Sequence, residues 1–178
     1  MAANLHNADI VKGNELWLFI GQYDDGTDQN PKTIADQTAN PIAFATQHSL
    51  NRSMNTNSVS SKDHGSAAYV TLGEGSWTCS TENLYTVSSF KTLNKLFQDG
   101  SKLFVKFGKI DNYTQSGDVD NSNGPWAMEK NYICGAGYMT SLQASGGTGD
   151  SATFSAEITG LGSLYSYSYG IGWDPSIS

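Results

Sequence analysis

Charge is scarce in this chain. Asp, Glu, Lys and Arg together make up 15% of its 178 residues, with 10 basic against 17 acidic side chains and a formal net charge of −7. That balance excludes a basic surface built to grip nucleic acid. An acidic surface repels phosphate instead, which suits a wall past which DNA must move without sticking. Cysteine occurs only as Cys79 and Cys134, both within strand-like segments. Two cysteines make no disulfide framework, so the reading is a pair of buried free thiols and an intracellular site of folding. No apolar run approaches the roughly 20 residues of a membrane helix. The start, Met1-Ala-Ala-Asn-Leu-His-Asn, has neither the basic nor the apolar region of a secretory signal.

What is abundant points to a β-protein. Apolar residues reach 38%, glycine occurs 19 times, and nine Tyr, seven Phe and four Trp argue against disorder. The length suits one domain over residues 1–178, with an N-terminal arm (1–13), a long loop (23–40) and a short tail (170–178). Residues 14–22 form a dense apolar run, expected as a strand buried on both faces. From Pro41 to Ser61 the pattern is extended, with Ile42, Phe44, His48, Leu50 and Met54 on one face. Gln47, Ser49, Asn51, Ser53, Asn55 and Asn57 form a neutral polar ladder on the other.

Strands are also expected over 75–85, 103–107, 128–143, 151–159 and 163–169, with a polar loop at 111–127. In the clearest of them Phe154, Ala156 and Ile158 alternate with Ser155, Glu157 and Thr159. One helix is expected, capped by Thr86 or Ser88, carrying Phe90, Leu93, Leu96 and Phe97 and ending at Asp99-Gly100. The fold class is all-β: an antiparallel β-sandwich or partial barrel with one flanking α-helix.

Candidate chemistry is thin, and no catalytic set converges. His6, His48 and His64 lack the paired spacing of a zinc site. Asp118, Asp120, Ser122 and Glu129 fall at positions one, three, five and twelve of a calcium-type loop, but Asn123 stands where that loop needs glycine, so a solvated turn is favoured. Ser145-Gly-Gly-Thr-Gly-Asp150 has no lysine and leads into a strand, which makes it a hairpin turn and not a phosphate cradle. The Tyr165, Tyr167 and Tyr169 face suits either stacking on a ligand or packing on another subunit.

The ordered set His48-Ser-Leu-Asn, Ser60-Ser-Lys-Asp-His-Gly65, Gly75-Ser-Trp-Thr-Cys-Ser-Thr-Glu-Asn-Leu-Tyr85, Gly137-Tyr-Met-Thr-Ser-Leu-Gln-Ala-Ser145 and Ser151–Gly160 resembles the major tail tube proteins of long-tailed bacteriophages. The resemblance covers roughly residues 14–165. It implies a non-enzymatic, cofactor-free virion protein, assembled in the host cytoplasm, whose copies form stacked, hexameric rings. Neighbouring inner sheets would join around a lumen that a tape-measure protein fills and through which DNA later passes, with tail-end proteins at its limits. Ser49, Asn51, Ser53, Asn55, Asn57 and Glu157 are the candidates to line that lumen, although patterning reports a wet face and not which wet side it is. The loop after the first strand commonly bridges rings in this family; here its candidates are Asp24, Asp25, Asp28, Lys32 and Asp36.

Two other readings compete. The tube of a contractile injection or secretion system shares the fold. A carbohydrate-binding β-sandwich would use Trp126, Tyr165, Tyr167 and Trp173 as stacking platforms.

Overall fold

The computed structural model describes residues 13–42, 45–60, 68–110, 128–168 and 172–174. The arm at 1–12, His6, His64, the loop 111–127 with Asp118, Asp120 and Ser122, Trp126, Tyr169 and most of the tail lie outside the described residues, as do the side chains of Glu129, Tyr167 and Trp173. A short 3-10 turn, Gly13–Glu15, leads into β1 (Leu16–Gln22). Four short pieces follow: β2 (Gly26–Thr27), β3 (Asn30–Pro31), a 3-10 turn at Ile34–Asp36 and β4 (Asn40–Pro41). The long strands β5 (Ala45–Ser60) and β6 (Ala68–Leu84) come next, then α1 (Val87–Gln98), β7 (Lys102–Ile110), β8 (Met128–Ser145), β9 (Thr153–Ser168) and β10 (Gly172–Asp174).

All but β2 and β3 join one antiparallel sheet, in the order β4-β1-β7-β8-β9-β6-β5, with β10 added on β9. Five strand spacings separate β1 from β5, roughly 24 Å if the sheet were flat. Yet the rings of Trp17 on β1 and His48 on β5 lie 5.9 Å apart. The sheet therefore curls back on itself, so the partial barrel, and not two separate facing sheets, is the architecture formed. Inside the curl Leu18, Ile20, Ile42, Cys79, Leu103, Val105, Phe154 and Ile158 share one core. The helix closes it: Leu93 is buried there and Phe90 packs edge-on to Phe154 at 5.9 Å.

β1 is buried on both faces, as its apolar run predicts, because Trp17, Phe19 and Ile110 form a second cluster on the far side. β7 behaves the same way. Phe104 is fully buried although it alternates with core residues, and half-buried Lys106 lies 4.9 Å over the Tyr132 ring. Burial lowers the Lys106 pKa. The helix starts where expected, with Thr86 at the N-cap, but the Thr86 hydroxyl makes no capping bond. Gly100 ends it in the left-handed conformation at φ 58°.

Boundaries differ in more than one place, and β6 begins at Ala68 instead of Gly75. Residues 151–159 and 163–169 do not form two strands; β9 runs unbroken through Gly160 and Gly162. Gly160 is there for Trp77, whereas Gly162 takes a left-handed φ of 74°. The Trp77 indole lies against Gly160, where an added Cβ would stand 2.0 Å from Cε2, and its Nε1 donates to the Gly162 carbonyl at 3.0 Å. Cys79 and Cys134 are free and buried, and burial pushes both thiols up to about 12.

Candidate functional site: the polar face of a four-stranded wall

Opposite the core, β8, β9, β6 and β5 present one continuous wet face. The registers set its rows. Ser49 pairs with Ser80, Ser80 with Glu157, and Glu157 with Ser141. The next row is Gln47, Glu82, Ser155 and Gln143; on the other side Asn51, Thr78 and Thr159 line up. Paired residues share a face, so Glu157 and the β5 ladder lie on the same wall, four strands wide. Hydroxyls bind across it: Ser49 to Ser80 at 2.7 Å, Ser53 to Ser76 at 2.8 Å and Thr140 to Thr159 at 3.1 Å. These rows hold no Lys or Arg; their only charges are Glu82 and Glu157. The wall can present hydroxyl and amide groups to water and offers a phosphate no cation to pair with.

Asn55 and Asn57 stay on this face despite a bulge. Between Met54 and Thr56 β5 advances two residues while β6 advances three, from Gly75 to Leu72. The extra residue lies on β6, so the β5 alternation is undisturbed. Sequence reasoning found the β5 ladder but missed Ser76, Thr78, Ser80, Ser141 and Gln143. For the first three the signal was present, since they alternate with Trp77, Cys79 and Thr81.

Two strand edges flank the wall. β5 pairs only with β6, which leaves its other edge without a strand partner among the described residues. β7 covers β8 no further than Tyr138, while β9 follows β8 to Ser145, so Met139–Ser145 also has one edge without a strand.

The loop after β1 is a built object. Asp24 and Asp25 form ion pairs with Lys32 and Lys102, the second at 2.8 Å. The Asp36 carboxylate accepts from the Thr33 N–H and hydroxyl, each at 2.8 Å. Buried Gln37 ties the loop together, accepting from the Asp24 N–H at 2.7 Å and donating to the Asp24 carbonyl at 2.7 Å. These bonds hold the Asp24 and Asp36 carboxyls below the usual range, through Lys32 and Gly26 in one case and Thr33 in the other. Asp28 sits exposed in the turn between β2 and β3. Four of the five loop candidates thus already have partners within the chain.

His48 belongs to the core-side face of β5. Burial lowers its pKa to about 4, and neither ring nitrogen has a hydrogen-bond partner among the described residues. Its ordinary value is 6.5. The folded state holds it neutral, so its contribution is complete above pH 6.5 and is lost as pH falls toward about 4. That loss amounts to about 3 kcal/mol. Unfolding curves of wild type and His48→Phe between pH 7 and about 4 should diverge by that amount; parallel curves would contradict it.

Among the described residues no three His, Cys, Asp or Glu side chains cluster to hold a metal, and no helix is long and apolar enough to cross a membrane. Tyr165 of the carbohydrate alternative is half-buried, not an open platform.

Comparison with known proteins gives the family of the chain. Residues 24–166 match the family described as phage tail tube protein. The chain belongs to that family. As a tail tube protein it is a structural component of the phage tail. Its fold is that of the tail of an empty gene transfer agent particle refined with C6 symmetry: TM-score 0.60 at 13% identity, covering 87% of this chain and 97% of that one. The SPP1 tail tube matches with TM-score 0.60 at 12% identity, over 89% of this chain and 80% of that one. A chain of the anti-feeding prophage baseplate matches with TM-score 0.56 at 7% identity, over 91% and 98%. No curated protein sequence matches this tail tube protein.

Proposed function

We propose that copies of this chain join edge to edge into closed rings, that the rings stack, and that the wet face of β5, β6, β9 and β8 becomes the lumen wall. The carrying observation is the pair of unpartnered strand edges at the two sides of that face. Three antiparallel steps separate β8 from β5, so the two run in opposite directions. Rotation about a tube axis keeps strand direction, so β5 of one copy meets Met139–Ser145 of the next as an antiparallel pair. A 16-residue edge strand, exposed over most of its described residues, is a liability unless something covers it. A head-to-tail contact of this kind closes into a ring of identical copies. Six copies per ring is the count favoured, in line with the C6 symmetry of the gene transfer agent tail.

On this reading Ser49, Asn51, Ser53, Asn55, Asn57 and Glu157 line the channel, together with Ser80, Thr78 and Ser141. DNA passes a surface of hydroxyls, amides and carboxylates, and a tape-measure protein occupies it before ejection. Tail-end proteins close the tube. Residues 1–178 act as one domain without catalytic activity or cofactor, assembled in the host cytoplasm, with the loop 23–40 as a rigid ring-to-ring spacer whose free contact is Asp28. Negative-stain images of the concentrated protein should show rings or tubes; a particle that stays single at every concentration refutes the proposal. Within such tubes Ser49→Lys, Asn51→Lys and Ser53→Lys should together slow DNA release strongly, through new phosphate pairing. Unchanged release would place this face outside the lumen.

A further inference from the structure

β6 pairs with β9 only over Thr78–Leu84. The rest of it, Ala68–Trp77, runs on beside β5 as a two-stranded ribbon, roughly 33 Å long at 3.3 Å per residue. This ribbon has two unlike faces. One continues the polar wall through Ser53, Asn57, Ser76 and Thr71, with Thr71 donating to the Asn57 carbonyl at 3.1 Å. The other carries Met54, Val70 and Leu72, which are 50%, 65% and 69% exposed. Below that strip, at the ribbon's root, opens a cavity of about 680 Å³ lined by Arg52, Met54, Gly75, Trp77 and Leu164 among others.

The bulge creates this asymmetry. Trp77, Cys79 and Thr81, the odd positions of β6, face the core. Under strict alternation Val70 and Leu72 would therefore stand on the polar wall. The extra residue at Gly73-Glu74 shifts the pairing, so that Leu72 lies opposite Thr56 and Val70 opposite Ser58, on the face of Met54. Gly73 fits because an added Cβ would lie 3.2 Å from the Asn55 carbonyl oxygen. The local chain geometry thus takes two large apolar side chains off the wet wall and places them where this copy has no core to receive them.

We infer that this strip is a seat for a second copy of the chain, in the next ring of the stack. The inference rests on the tube reading above. If the polar face lines the lumen, the strip looks away from the axis, and what stands there beyond the end of one ring is the body of a copy in the next. The partner surface lies at the other end of the same strand. Tyr85, just past the end of β6, and Val87, opening α1, are 38% and 74% exposed. Unlike patches at opposite ends of one element give a head-to-tail contact that repeats without closing, which is how a filament grows. Exposed apolar strips of this kind mark association surfaces.

The test uses the full chain carrying Val70→Asp and Leu72→Asp. Both side chains lie outside the core, so the thermal midpoint should stay within about 2 °C of wild type. In negative stain the wild type should form tubes and the variant single rings. Adding Val87→Lys to Leu72→Asp should restore stacking through a new charge pair. Tubes of normal length from the double aspartate variant overturn the inference and leave the ring proposal standing. Single subunits instead of rings place the strip within a ring and overturn it also. A wild-type chain that never assembles removes both readings.

Discussion

Replacing Gly160 by alanine is expected to lower the thermal midpoint by about 10 °C, or to leave the chain insoluble. The added methyl carbon would stand 2.0 Å from Trp77 Cε2 and 2.3 Å from Cδ2. The indole has nowhere to go. Gly135 backs its other edge, where a Cβ would lie 2.8 Å from Cζ2, and Nε1 is fixed by the Gly162 carbonyl. Overpacking of this kind costs about 3 kcal/mol, and each kcal/mol moves a domain of this size by about 3 °C. Gly13→Ala, where an added Cβ meets nothing within 4 Å, is the control and should change little. The decisive measurement is a double-mutant cycle with Trp77→Leu. That change alone should cost several kcal/mol, roughly 3. Gly160→Ala added to it should cost almost nothing more, because the clashing ring is gone. Additive losses would show that Gly160 acts through the backbone and not through the indole.

The second large effect separates folding from assembly. Along a strand successive N–H groups point to opposite sides, so of two neighbouring residues on β5 one donates toward β6 and the other toward the open edge. Asn51→Pro and Arg52→Pro sample both, at exposed positions. One variant should keep the monomer fold and lose rings altogether, because it removes only the outward donor and places a ring in the path of an incoming strand. The other should break the β5–β6 ladder and lower the thermal midpoint. Circular dichroism and negative stain on the pair distinguish the two. Rings from both variants would mean that β5 is not a joining edge.

Much of this architecture is readable from residue order, and the exceptions have physical causes. The alternation from Phe154 to Thr159 specifies a half-wet strand because each residue depends only on its neighbours two places away. The helix is legible for the same reason, through Phe90, Leu93, Leu96 and Phe97. Gly160-Leu-Gly162 looks like a break, because glycine in a strand normally marks one. The reason for Gly160 lies 83 positions earlier in the chain, in the bulk of Trp77. That Glu157 shares a wall with Ser49 follows from the β6–β9 and β5–β6 registers, and registers are long-range facts. The bulge at Gly73-Glu74 is likewise invisible until β5 lies alongside. The ring-bridging role of the loop 23–40 is what the family resemblance implies, and the structure adds that Asp24, Asp25, Lys32 and Asp36 are bonded within the chain. Composition cannot tell a bonded carboxylate from a waiting one.

The two thiols have a practical consequence. With Cys79 and Cys134 each 1% exposed and titrating only at about 12, neither meets an alkylating reagent as thiolate in the native chain. A cysteine installed at exposed Asn57 would therefore take a fluorophore alone, with no need to delete the native pair. The native pair would then serve as a clock: the rate at which it becomes labelled counts how often a subunit opens, inside an intact virion as well as free in solution.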